Sequence, residues 1–294
     1  MDQYVKGDFK IYWELLDDIS MYQFEFMTGD RKKDFITFTL EYLQDHVGRE
    51  GLMGLSVGCG EGAAPEMRFF EAGLFERFEV MDIAEGLLKR QSEKAKSKGL
   101  KGLVYTVKDL NNVTLEKDKY HLIWAVGTVH HLENLEHFFE QVQGALKDSG
   151  IFVMREYVGP NRIQYTDEQL SIVNEILACL PERFRVTPFG HTKEREHRLP
   201  VEEVIKMDPS EAVRSRDILP VMERYLKIVH MAETGGTILH PLLNGIASNF
   251  ERDPCGAALL SLLITFEKVL IKKNILPSDY VFCIAKKKGN QKNN

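Results

Sequence analysis

Leu52-Met53-Gly54-Leu55-Ser56-Val57-Gly58-Cys59-Gly60-Glu61-Gly62 passes from a short apolar run straight into alternating glycines. Six mostly apolar residues ending at glycine suit a buried strand. Glycines after a strand permit a tight turn and let the backbone approach a ligand closely. A GxGxG turn is weak evidence by itself, because several nucleotide-binding folds use one, and a plain strand-to-helix turn would look the same.

The period keeps switching downstream. Residues 64–72 read as a helix with Pro65 in its first turn, where a missing N–H costs little. Strands are expected at 78–81, 103–107, 120–126 and 151–156, and helices at 83–98 and 135–146. Strands alternating with helices predict an α/β, doubly wound, mostly parallel sheet. Upstream, Ile11, Leu15, Ile19 and Tyr22, then Ile36, Leu40, Leu43 and Val47, recur at helical spacing, with Thr28-Gly29-Asp30 as a turn between them. The alternation breaks after the fifth strand. Thr166 with Gln169 three residues later forms a capping-box pattern for a helix over 166–180, and Pro181, Pro188 and Pro200 punctuate the stretch after that helix. Helices at 215–225 and 256–273 and strands at 226–231 and 280–285 resume the sheet. The expected organisation is an N-terminal helical segment (1–48), a core (49–157 and 213–288), a helical insertion or cap (158–212) and a disordered tail (289–294).

In such a fold the ligand crevice lies at the carboxyl ends of the strands. Asp82 ends the second strand, 20 residues after Gly62, where a carboxylate can accept both hydroxyls of a ribose or cap the next helix. Asp109-Leu110-Asn111 follows the third strand, where an Asp is also a common turn residue. Trp124-Ala125-Val126-Gly127-Thr128-Val129-His130-His131 closes the fourth, and Arg155-Glu156-Tyr157 the fifth. Glu61 in the glycine turn would repel a pyrophosphate, which argues for a different adenosine-containing cofactor.

The ordered set VGCGEG, Asp82 in MDIAEGLL, Asp109 in VKDLNN and IWAVGTVHHL resembles the class I S-adenosylmethionine-dependent methyltransferases over residues 50–157. The resemblance implies a Rossmann-like sheet of seven strands with the last antiparallel, and S-adenosyl-L-methionine as cofactor. It implies that Gly58, Cys59 and Gly60 face the methionine part of that cofactor. Asp82 would hold the ribose with Ile83 beside the adenine, Asp109 the adenine amine with Leu110 next to it, and Ala125 and Val126 the sulfonium side. The chain departs from the family at Ser56-Val57, where family loops often carry an acid.

Methyl transfer from a sulfonium is an in-line displacement, and alignment alone supplies on the order of 7–11 kcal/mol. A base is needed only where the acceptor loses a proton. His130 and His131 are the candidates, and packing or capping of the following helix is the other reading for both. Arg155, Glu156 and Tyr157 are candidate acceptor contacts, or a buried ion pair in the case of the first two. Asn161, Arg162 and Tyr165 come next, on the insertion. Tyr4 and Trp13 are lid candidates or, more simply, packing residues.

Composition narrows the class. The chain has 294 residues, 44% hydrophobic and 28% charged, with a net charge of −6, which disfavours a duplex nucleic-acid partner. Cys59, Cys179, Cys255 and Cys283 are widely spaced with no CxxC pair, so neither a metal site nor a disulfide framework is expected. Met1-Asp2-Gln3-Tyr4 lacks the basic-then-apolar pattern of a leader, and the most apolar stretch, 257–270, is broken by Glu267 and Lys268. A cytoplasmic protein without a membrane segment is expected. No Asn-Pro-Pro-Tyr motif follows the fourth strand, which points away from amino groups of nucleic acid or protein. The expected activity is methylation of a small-molecule or sugar acceptor, at oxygen. A non-catalytic cofactor-binding protein and an NAD-type oxidoreductase are the alternatives. Nothing in the sequence sets the oligomeric state.

Overall fold

The computed structural model describes residues 5–6, 9–10, 12–60 and 64–289. Tyr4, Glu61, Gly62 and all of the expected tail except Gly289 lie outside the described residues. Seven strands form one sheet: β1 (Leu52–Val57), β2 (Phe75–Asp82), β3 (Leu103–Val107), β4 (Tyr120–Val126), β5 (Leu146–Tyr157), β6 (Leu226–Gly235) and β7 (Tyr280–Lys287). Their order is β3-β2-β1-β4-β5-β7-β6. β1 pairs in parallel with β2 and β4, as do β2 with β3 and β4 with β5, and β7 is antiparallel. The order reverses at β1, whose neighbours are β2 on one side and β4 on the other. The carboxyl ends of β1 and β4 therefore diverge into the crevice where this architecture binds ligands.

Nine helices of seven residues or more are described: α1 (Asp17–Thr28), α2 (Phe35–His46), α3 (Pro65–Glu71), α4 (Glu85–Ser97), α5 (Leu135–Ala145), α6 (Asp167–Cys179), α7 (Val201–Met207), α8 (Ile218–Tyr225) and α9 (Gly256–Lys272). β1, β3 and β4 coincide with the expected bounds. Of the boundaries that differ, two have a local cause. The N-terminal helix begins only at Asp17, because Leu16 is extended and Asp17 and Asp18 place acids in the first turn, where the helix dipole favours them. β5 begins at Leu146, five residues early, because Leu146 pairs with Tyr120 before a register shift that resumes at Leu122 and Ile151.

Contacts group the chain into two compact units. One comprises Asp34–Val158, Ser210–Ala232 and Phe282–Asn294 and contains most of the sheet. Its core is aromatic: Phe69 stacks on Phe78 at 5.7 Å and meets the Trp124 ring edge-on at 4.8 Å, and Phe35 stacks on Trp124 at 5.4 Å. Phe69, Phe78 and Trp124 are fully buried, and each such phenylalanine contributes roughly 1.5–3 kcal/mol. Asp34 caps α2 by accepting from the Thr37 backbone N–H and pairs with Arg68 of α3 at 2.8 Å.

The other unit comprises Met1–Lys33, Gly159–Pro209 and Glu233–Val281. The capping box of α6 is formed as expected, with Thr166 and Gln169 bonded reciprocally. Gln169 also donates from Nε2 to Thr237 Oγ1 and Asp279 Oδ2, both at 2.8 Å. Trp13, a lid candidate, is fully buried and packs against the rings of Tyr12, His240 and Tyr280. Tyr165 is buried with its hydroxyl 3.2 Å from His240 Nδ1, and Arg162 donates to the Pro209 carbonyl at 2.7 Å. No described helix is long and apolar enough to cross a membrane.

Candidate active site

The glycine turn is held from behind. Gly58 has φ +90°, and a Cβ there would lie 2.0 Å from Thr128 Oγ1, so only glycine fits between β1 and the loop after β4. Its N–H donates to the Met81 carbonyl at 2.8 Å. The next N–H, of Cys59, donates to Asp82 Oδ2 at 2.7 Å, and Ala84 N–H donates to Asp82 Oδ1 at 2.7 Å. Asp82 thus ties the turn after β1 to the start of α4, and each of its oxygens keeps a second lone pair. Ile83 beside it is 71% exposed, an apolar surface placed next to a carboxylate at a strand end.

Asp109 is engaged in its own turn: Asn111 N–H donates to Oδ1 at 2.9 Å and Asn112 Nδ2 to Oδ2 at 2.6 Å. Asn111 Oδ1 in turn accepts from the N–H groups of Glu133 and Asn134, fixing the entry to α5. Leu110 and Ala125 are buried and Val126 is half-buried. The Cys59 thiol is pushed up to about 12, by burial first and then by the Glu66 and Asp82 carboxylates, so it is no thiolate nucleophile.

The two histidines end the turn after β4. The Glu156 side chain has no exposed surface. One oxygen accepts the Thr128 N–H at 2.9 Å and the Val129 N–H, and the other lies 2.6 Å from His130 Nδ1. Such a carboxylate accepts the Nδ1–H and fixes the ring with Nε2 turned away from it. Glu156, expected among the acceptor contacts, is buried behind His130 and orients it. The reason is strand alternation: Arg155 and Glu156 face opposite sides of the sheet. The Arg155 guanidinium lies 5.7 Å over the Phe35 ring, and Tyr157 is buried.

A residue that the sequence did not mark joins them. Glu211 Oε1 lies 3.7 Å from His130 Nε2, and Ser210 Oγ lies 3.0 Å from His131 Nδ1. Val213 N–H donates to the His130 carbonyl at 3.1 Å. Arg214 anchors this segment by a bidentate pair with Glu136 of α5, at 2.8 and 3.0 Å, and pulls the Glu136 carboxyl down to about 2. Ser210 and Glu211 lie some 80 residues beyond the histidines in a stretch with no motif, so no local pattern could have flagged them.

Residues 55–154 match the family profile described as Methyltransferase domain. Human N-terminal Xaa-Pro-Lys N-methyltransferase 1 is 23% identical over 141 residues, which span 47% of this chain and 63% of that protein. The chain thus spans less than two thirds of the length of this curated relative. Among solved structures, Streptomyces coelicolor geranyl diphosphate C-methyltransferase superimposes with a TM-score of 0.51 at 15% identity, over 85% of this chain and 75% of that one. Haemonchus contortus phosphoethanolamine N-methyltransferase 2 gives 0.53 at 14% identity, over 94% and 58%. At these identities the structures establish a shared fold.

Proposed function

We propose, from the class I S-adenosylmethionine-dependent methyltransferase family to which this chain belongs, that it transfers the sulfonium methyl group to a hydroxyl oxygen of a small-molecule or sugar acceptor. S-adenosylmethionine is the cofactor of that family. In this reading Gly58, Cys59 and Gly60 lie along its methionine part and Asp82 accepts from the ribose hydroxyls. Ile83 and Leu110 flank the adenine, Asp109 accepts from its amine with a remaining lone pair, and Ala125 and Val126 line the sulfonium side. The exposed apolar face of Ile83 beside Asp82 supports this assignment.

The acceptor half rests on one observation, the His130 ring held at Nδ1 by the buried Glu156 carboxylate. The hydroxyl proton passes to Nε2, the oxygen forms its bond to the methyl carbon, and the carbon–sulfur electron pair stays on sulfur. Glu156 stabilises the imidazolium that forms. The names of the relatives include carbon and nitrogen acceptors, so the choice of oxygen rests on this dyad alone. Arg155 and Tyr157 have no part in the proposed chemistry. The net charge of −6 supports a partner other than duplex nucleic acid, and four free cysteines support a cytoplasmic setting.

The test is calorimetry with S-adenosylhomocysteine, followed by transfer of a labelled methyl group to a panel of hydroxylated compounds and amines. Saturable binding and an oxygen-methylated product are expected. His130→Ala should lower turnover by about 10²–10⁴-fold with the affinity for S-adenosylhomocysteine unchanged. No binding at millimolar concentration sinks the cofactor assignment, and label found only on amines sinks the oxygen assignment.

A further inference from the structure

We propose that His130, His131 and Glu211 bind a divalent transition-metal ion, zinc by the character of the donors, and that this ion holds the acceptor oxygen. Among the described residues these three form a cluster in which one nitrogen of each ring and one carboxylate oxygen lie within 4.8 Å of one another. Two imidazoles and a carboxylate are the donor set of catalytic zinc and related first-row ions, and three protein ligands leave a position open for substrate. All three side chains are partly exposed, so an ion can enter from solvent.

The outer partners carry the inference further. A metal-binding imidazole usually gives its other N–H to a carboxylate or another acceptor, which fixes the ring and strengthens the ligand. Glu156 does this for His130 at 2.6 Å, and Ser210 Oγ lies 3.0 Å from His131 Nδ1. A surface ion pair of His130 with Glu211 needs neither partner. The segment bearing Glu211 is fixed by the Arg214–Glu136 pair and by Val213 N–H on the His130 carbonyl. Ligand atoms bound tetrahedrally at about 2.1 Å to one ion sit about 3.4 Å apart, so atoms now up to 4.8 Å apart must close by up to about 1.4 Å. Glu211, the more exposed of the pair it makes with His130, has the rotamer freedom to supply that movement.

The role given to the ion rests on the methyl-transfer reading, whereas its binding does not. The Nε2 lone pair serves either as ligand or as base. With the ion bound, His130 is a ligand and the ion lowers the pKa of the coordinated hydroxyl, whose proton leaves to water. The oxygen then forms its bond to the methyl carbon as the carbon–sulfur pair returns to sulfur.

The experiment strips the full chain with a chelator, titrates it with Zn²⁺ by calorimetry and records the absorption spectrum with Co²⁺. Saturation at one ion per chain, with ligand-field bands from Co²⁺, is expected. His131→Ala and Glu211→Gln should each weaken Zn²⁺ binding by at least about 10-fold, and Glu156→Gln by about 10–100-fold. Circular dichroism and S-adenosylhomocysteine affinity should stay at wild-type values in His131→Ala and Glu211→Gln. Absence of saturable Zn²⁺ and Co²⁺ binding in the folded wild type overturns the site, as does binding that survives both substitutions. Loss of S-adenosylhomocysteine binding with Zn²⁺ binding intact would overturn the methyl-donor reading and leave the metal site standing.

Discussion

Glu156 and Glu267 are both carboxylates with no exposure, and both accept backbone N–H groups, yet they serve different ends. Glu267 directs both oxygens inward: Gly236 donates to Oε1 at 2.9 Å, and Ile238 and Leu239 donate to Oε2 at 2.7 and 2.9 Å. Gly235, at φ +85°, leaves no room for a Cβ beside Oε1. This carboxylate satisfies the orphan donors at the start of the Leu239–Leu243 helix and also accepts from the Tyr22 hydroxyl at 3.5 Å, all of them interior partners. Glu156 gives one oxygen to the backbone and the other to an imidazole that reaches a partly exposed surface. Their histidine neighbours repeat the contrast. His240 is buried among Tyr12, Tyr165 and Tyr280, with no carboxylate on its ring among the described residues, and burial pushes it down to about 3, with Lys193 adding to the shift. His130 has the Glu156 carboxylate behind it and the partly exposed Glu211 in front. A buried acid marks a working site when one of its bonds leads outward.

Substitutions can break that contrast. Glu267→Ala leaves three buried N–H groups unpaired and should lower stability by about 3 kcal/mol or more in urea unfolding. S-adenosylhomocysteine affinity should be retained where the variant is folded; a stability loss under about 1 kcal/mol would remove the distinction between the two acids. Asp82→Ala should do the reverse and weaken S-adenosylhomocysteine by about 10–100-fold, or about 1.5–3 kcal/mol. An unchanged dissociation constant removes the ribose assignment.

His240 sharpens the contrast through pH. Unfolded, it takes up a proton near pH 6.5; folded, only near 3. Between those values the unfolded state holds more protons, so this contribution to stability falls as pH falls, by at most about 1.4 kcal/mol per unit. Glu267 has the opposite slope, since burial raises its pKa and the protonated form favours the fold. Comparing wild type with His240→Gln across pH 4–6.5 isolates the histidine, and parallel stability curves would show that it is not held neutral. The smallest effect is expected from Thr166→Ala, which removes half of the capping box for about 1 kcal/mol and should leave cofactor affinity alone. A change in S-adenosylhomocysteine affinity there would show that the α6 cap does more than hold its helix.

The strand ends were the most legible part of the molecule. β1, β3 and β4 are short apolar runs bounded by glycine or polar residues, and their periods and stops are local properties. The early start of β5 was hidden because Leu146 reads as the end of the helix expected over 135–146, and only the paired strand shows that it belongs to the ladder. The helices Val201–Met207, Leu239–Leu243 and Ser248–Arg252 are too short to establish a period.

At the site, Asp82 could be named in advance because it ends β2, and His130 because it lies in the turn that follows β4. Glu156 could be named but its direction could not, since whether a strand-end side chain faces solvent or interior depends on what packs against it. No cysteine pattern suggested a metal, and the cluster that does combines His130 and His131 with Glu211 from a distant segment.

The amino-acid sequence by itself determined the alternation of strands and helices, the glycine turn and the carboxylate that comes after it, because backbone propensity and hydrophobic period act over a few residues. Tertiary structure alone decided that Glu156 stands behind His130 and that Glu211 stands before it. Those relations depend on chain segments brought together by packing, and a buried carboxylate becomes structural or functional only through the groups that the fold places around it.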